Sequence, residues 1–473
     1  MTLEGWIVSR LRRQPAILYG IGVLTAVILM LISTPALRLG WFLLIFLTLL
    51  SWSLLYRWES RVWTRRFLLI AVMIHVGIAL ALYCISFRYW IPTEAGLFQN
   101  GGFFIGDGYV YAYNGHWLAD RWSQGIFPTD EALRDWSMSK TTTPYDYWSG
   151  WIIYALGYHP LTPIFLNCLL GSWSAVFAYW LAQKFLSEQT ARWAGLAVAF
   201  WPSLLLWSTQ NLKEPISLFL MLGCLVCWMR PSIKQIWWSW PLGAGALMAL
   251  HQMNHFIGPL VVCAWLLYGL VILLMKFRWM RWLITLVTAG FILLVLFGDT
   301  GPLLSVSQQL DQIIFKRPVL EFALNPDQFA QQIEYLRRVR MLDAATPILE
   351  SYQIKNFIEL AAFLPISWLA LLTMPLPWMA RSAHELMGAA EMLLWYPLLY
   401  YAFRGALQSL WSQRSVLLLT ILAAVIGTAI ALLEGNVGTL FRHRASLWPW
   451  LLMLACYGWE IKQMKEHPSA AAG

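Results

Sequence analysis

The sequence predicts an all-α polytopic membrane protein, on three observations. Hydrophobic residues fill 59% of 473 positions and charged residues only 12%, about half the charged share of a soluble domain. Apolar runs of around 20 residues recur, the length a helix needs to cross a bilayer. Within them Leu, Ile, Val, Ala and Trp are continuous rather than alternating, which fits helices and not barrel strands. Candidate spans lie at 16–33, 40–56, 67–88, 160–183, 193–207, 215–229, 236–250, 256–275, 283–298, 356–374, 386–403, 415–433 and 446–460, a bundle of about 12–13 transmembrane helices.

These spans divide the chain into N-terminal transmembrane helices (1–88), a long polar loop (89–159), a transmembrane core (160–298), an amphipathic polar loop (299–355) and C-terminal transmembrane helices (356–473). Orientation follows from the basic residues. With a cytoplasmic N-terminus, the inner loops as far as residue 282 hold Arg10, Arg12, Arg13, Arg57, Arg61, Arg65, Arg66, Lys184, Arg192, Arg230, Lys234, Lys276, Arg278 and Arg281. The short outer loops then hold only Arg38 and Lys213, as the positive-inside rule requires. The loops at 89–159, 208–215 and 251–255 therefore face outward. Thirteen spans put the C-terminus outside, whereas Arg404, Arg414, Lys462 and Lys465 prefer the inside, so a piece near 356–385 is expected to be re-entrant or interfacial. Pro375 and Pro377 in "MPLPW" mark it.

Composition also excludes some functions. A net charge of +9 suits nucleic acid, but the cations sit in interhelical loops where they orient spans, so no nucleic-acid partner is expected. All six cysteines lie in apolar stretches, so no disulfide framework is implied, and "CLVC" at 224–227 reads as core packing. The arginines before the run at 16–33 resemble a signal peptide. The run is long and has no A-x-A cleavage pattern, so it reads as a retained anchor.

Polar chemistry gathers in three places. In "GDGYVYAYNGHWLADRW", Asp107 stands between Gly106 and Gly108, where the backbone can bend tightly. A helix then follows near the interface, with Tyr109, Tyr113, His116, Trp117 and Asp120 spaced to share a face. In "STQNLKEP", Lys213 and Glu214 precede Pro215, a favoured first-turn residue. An acid there also suits a simple helix cap. In "EGNVGTLFRHRASLWPW", Arg442, His443 and Arg444 precede the last span, as snorkelling anchors do and as a phosphate clamp does. His251 and His255 have metal-ligand spacing but lack the glutamate of H-E-x-x-H, and polar loop residues are the better reading. The stretch "PDQFAQQIEYLRRVRML" reads as an amphipathic helix lying on the membrane or capping the first loop.

An acid in the first large outer loop, Asp107 in "GDGYVYAYNGHWLA", and a second in a short later loop, Glu214 in "NLKEP", resemble the GT-C superfamily of membrane glycosyltransferases. That superfamily includes protein O-mannosyltransferases and lipid A aminoarabinose transferases. "PLPW" followed by Glu391, and "GNVGTLFRHR", also look like segments of bacterial proteins of this kind. The overlap covers residues 101–230 and the last 40. The chain departs from the pattern in having two extra spans before the first acidic loop, a lone Asp107 where a paired Asp-Glu is frequent, and "HQMNH" where arginine is common.

The resemblance implies a donor sugar on a polyprenyl phosphate and a hydroxyl acceptor on a lipid, glycan or protein, met at the extracytoplasmic face of a bacterial inner or plasma membrane. It implies catalytic roles for Asp107 and Glu214. Substrate contacts would come from Tyr109, Tyr113, His116, Asp120, Lys213, Arg442, His443 and Arg444. A divalent metal ion is the candidate cofactor, with no ligand set identified. A carboxylate can take the acceptor's proton, cations can stabilise the departing phosphate, and a single base with an in-line leaving group implies inversion. A polymerase of lipid-linked repeat units shares this donor chemistry. A transporter would place its ionisable groups at mid-bilayer, and a non-catalytic scaffold would need none.

Overall fold

The computed structural model describes residues 27–31, 33–59, 61–88, 106–137, 142–229, 236–276, 325–342, 346–379, 383–410 and 414–466. The expected span at 283–298, most of the one at 16–33, and the loop pieces 89–105 and 299–324 lie outside them. The protein is an all-α polytopic membrane protein: among the described residues there is no strand, only an isolated bridge between Pro347 and Asn436. Among the described residues five helices are long and apolar enough to cross a membrane, and two apolar helices are shorter. The chain forms two compact units, Met1–Leu181 with Gly195–His255, and Ala182–Ala194 with Phe256–Gly473.

In the first unit, α1 (Pro35–Trp58) and α2 (Val62–Arg88) are membrane-length helices. The polar region after them is not an open loop. It folds as α3 (Gly106–Ser123), α4 (Asp130–Trp136) and α5 (Pro144–Leu156), followed by the membrane-length α6 (Leu161–Ala182). α3 and α5 pack face to face because small residues meet there: a Cβ on Gly115 would lie 2.8 Å from the backbone nitrogen of Gly150. Any larger residue at Gly115 therefore pushes the pair apart.

The run 193–207, expected as one span, is two helices. α7 (Glu188–Phe200), in this unit from Gly195 onward, stops where α8 (Pro202–Ser208) starts, since Pro202 has no N–H to continue the ladder but suits a first helical turn. Carbonyls at the end of α7 lose their partners at such a break. The buried His75 of α2 bridges it, with Nε2 2.9 Å from the Ala199 carbonyl and Nδ1 2.9 Å from Ser208 Oγ. α9 (Glu214–Met229) and α10 (Ile236–Met253) pack together and complete the unit.

The second unit contains α11 (Ile257–Lys276), α12 (Pro326–Val339), α13 (Phe357–Thr373), α14 (Ala383–Ser409), α15 (Arg414–Leu433), α16 (Val437–His443) and α17 (Trp448–Glu466). α14 and α17 cross so closely that a Cβ on Gly458 would run into the Tyr401 carbonyl, and one on Gly405 into that of Leu454. Small residues let membrane helices approach in this way. The irregular piece expected at the prolines is present: α13 ends at Thr373, and Pro377–Met379 forms a short 3-10 turn.

The amphipathic helix α12 is docked, not free. Arg337 is fully buried and donates to the carbonyls of Leu349 (3.1 Å) and Tyr352 (2.5 Å), while Ala330 and Ile333 pack with Leu360 and Phe363 of α13. Its apolar stripe was legible, and α13 covers part of it.

Candidate functional site

Three helices of the first unit begin around one side chain. Asn211, fully buried in the turn before α9, donates from Nδ2 to the Gly108 carbonyl at 3.1 Å, in the first turn of α3. Its Oδ1 accepts from the hydroxyl of Tyr145 at 3.0 Å, in the first turn of α5. Buried Asn167 of α6 fixes the same turn, donating to the Gln210 and Leu212 carbonyls (2.7 and 2.9 Å) and to the Tyr145 oxygen (2.9 Å). Burial pushes the Tyr145 hydroxyl far above the usual phenol range, with Asn167's hydrogen bond opposing. It stays a neutral donor.

These bonds bring the segments of Asp107 and Glu214 together. Asp107 is exposed, while Lys213 and Glu214 are half-buried at the start of α9. Gly106 and Gly108 do not form the tight bend that their identity suggested. They are helical, and Asp107 sits in the first turn of α3. The bend is overridden because the Gly108 carbonyl and the Gly115 packing hold this end of the helix in place.

A third carboxylate escaped the sequence reading. Asp146 is buried in the first turn of α5, where its Oδ2 accepts from the Thr143 amide (2.6 Å) and hydroxyl (3.0 Å), a capping box. Its Oδ1 accepts from Nδ2 of Asn114 (2.9 Å), which also donates to Ser137 (3.0 Å). Burial raises its pKa, opposed by the Asn114 and Thr143 hydrogen bonds and then by the charge of Lys213. The signal was "TTTPYD", a helix-start pattern with the acid three residues after the threonine.

The expected aromatic face of α3 is present in part. Tyr109 and Tyr113 lie 6.2 Å apart, and Tyr113 and Trp117 each stack with Trp136 of α4. His116 turns instead toward Tyr158 (4.9 Å), and the exposed Asp120 accepts from Gln124.

Arg442, His443 and Arg444 belong to the other unit and do not point one way. Glu434, buried at the end of α15, is hydrogen-bonded to His443 Nδ1 (2.6 Å) and Thr439 Oγ1 (2.8 Å) and pairs with Arg340. Burial pushes the Glu434 carboxyl up, but these neighbours outweigh it and hold the pKa below the usual range. Arg444 is buried, donating to the Met374 carbonyl at 2.5 Å and lying over the Trp448 ring. Burial lowers its pKa to about 10, against the charge of nearby Glu391. Arg442 is half-buried. His251 and His255 have ring centroids 5.3 Å apart, and among the described residues no three His, Cys, Asp or Glu side chains group as a metal site.

Known protein families and curated proteins offer no match to this chain.

Proposed function

We propose that the first unit carries the active site of a membrane glycosyltransferase, moving a sugar from a polyprenyl-phosphate donor to a hydroxyl acceptor on the extracytoplasmic face, with inversion. The observation that carries this reading is the Asn211 bond to Gly108, which unites the segments of two acids 107 residues apart in number, Asp107 and Glu214, at one place. Asp107 is open to an incoming acceptor and takes its proton as the hydroxyl oxygen bonds to the anomeric carbon. The anomeric carbon–oxygen bond to phosphate breaks, and its electron pair leaves on the phosphate. Glu214, half-buried, orients the acceptor, and Lys213 beside it supplies positive charge for the departing phosphate. Among the described residues no three His, Cys, Asp or Glu side chains group together, and no step here is routed through a metal ion.

The membrane is a bacterial inner or plasma membrane, with the N-terminus cytoplasmic. Asp107→Asn keeps the shape of the side chain and removes the proton acceptor. Transfer from a polyprenyl-phosphate sugar by purified protein is expected to fall about a hundredfold or more, with normal expression. Transfer close to the parental rate would overturn the assignment.

A further inference from the structure

Along α3 the aromatics continue past Asp107 at intervals of four residues: Tyr109, Tyr113 and Trp117, with the Arg121 guanidinium 5.6 Å from the Trp117 ring. Residues four apart stand one above the next on a helix, so this row climbs one side of α3 away from the acid. Trp136 lies against it. Its ring is 4° from the plane of Tyr113 and 18° from that of Trp117, with centroids 6.4 and 5.8 Å away. Trp136 remains 49% exposed.

Trp136 is exposed while Tyr113 and Trp117 are half-buried, a set that can meet lipid or sugar, and the rim decides between them. Trp136 ends α4, whose seven residues include Asp130, Glu131, Arg134 and Asp135, all exposed. So many charges are costly against hydrocarbon. They suit a ligand with an apolar face for the rings and hydroxyls at its edge for carboxylates and guanidinium to bond. A pyranose ring has that character, and a single sugar would cover only one aromatic ring.

We propose that the Tyr113, Trp117 and Trp136 rings form an outer subsite for a glycan of several sugar units, whose terminal hydroxyl reaches Asp107. The acceptor is thus an oligosaccharide, not a single sugar or a protein side chain. This rests on the glycosyl-transfer reading for the acceptor role, but sugar binding to the rings is separable from it.

The test uses full-length protein labelled with 5-fluorotryptophan, with the Trp136 fluorine resonance assigned by its loss in Trp136→Phe. The probes are free tetrasaccharides of glucose, mannose and N-acetylglucosamine, each beside its monosaccharide. At least one tetrasaccharide is expected to shift the Trp136 resonance and bind tenfold or more tighter than its monosaccharide. Measured by calorimetry, Trp136→Ala should weaken that binding at least fivefold and Trp136→Phe less than twofold. Binding of the free sugars is read without any transfer, so the subsite survives even if Asp107→Asn disproves the assigned base. No preference for any tetrasaccharide, or unchanged binding in Trp136→Ala, would overturn the subsite. So would a Trp136 resonance that responds to bilayer-embedded paramagnetic lipid and not to sugar.

Discussion

The amide of Asn211 reaches the carbonyl of Gly108 across 3.1 Å, although 103 residues separate them. Asn211→Ala removes this bond and the acceptor of the Tyr145 hydroxyl together. Each buried group left without a partner costs about 1–3 kcal/mol. Thermal unfolding should begin at lower temperature, and transfer should fall at least tenfold as the starts of α3 and α9 lose their register. Parental activity in a destabilised Asn211→Ala protein would separate this link from the chemistry.

Of the basic residues before α17, Arg444 belongs to the interior of the fold. Arg444→Ala strands the Met374 carbonyl, for about 1–3 kcal/mol, and empties the buried space over the Trp448 ring. Little folded protein is expected.

Acid should loosen the hold of Glu434 on Arg340 and His443. The folded pKa of Glu434 lies below its ordinary 4.5, so its stabilisation is complete above that value. It is lost as pH falls from there through the folded pKa. Hydrogen exchange at 337–342 should accelerate over that acid window in the parent. Glu434→Gln should show fast exchange already at neutral pH and no further change through the window.

Gly458→Ala places a methyl group against the Tyr401 carbonyl. Two backbones must separate, for about 1–3 kcal/mol or more. A fall in detergent-melt temperature is expected. The same substitution at Gly245, where a Cβ meets nothing within 4 Å, should leave it unchanged.

The helical fold and its aromatic face were legible because hydropathy and four-residue spacing are local properties. "YVYAYNGHWLADRW" announces α3 without any neighbour. The start of that helix was not legible, since Gly-Asp-Gly favours a turn and the restraint on Gly108 comes from Asn211, far along the chain. Asp146 carries no mark of its burial in the sequence, because the amide that bonds it belongs to Asn114, 32 residues earlier. Arg444 misled for the opposite reason. A basic cluster before an apolar helix reads as a surface feature, and only the placement of Met374 and Trp448 shows that its guanidinium is inside the fold.

The meeting of α3, α5 and α9 at Asn211 has an electrostatic consequence for kinetics. Each helix start carries roughly half a positive charge, and each holds a carboxylate in its first turn: Asp107, Asp146 and Glu214. The acids offset the three helix ends and Lys213, so the patch presents little net field to an anionic lipid phosphate. Neutralising any one carboxylate uncovers positive potential. An amide at Asp107 or Glu214 should therefore lower KM for the anionic donor while kcat falls, and tighter binding would accompany slower turnover.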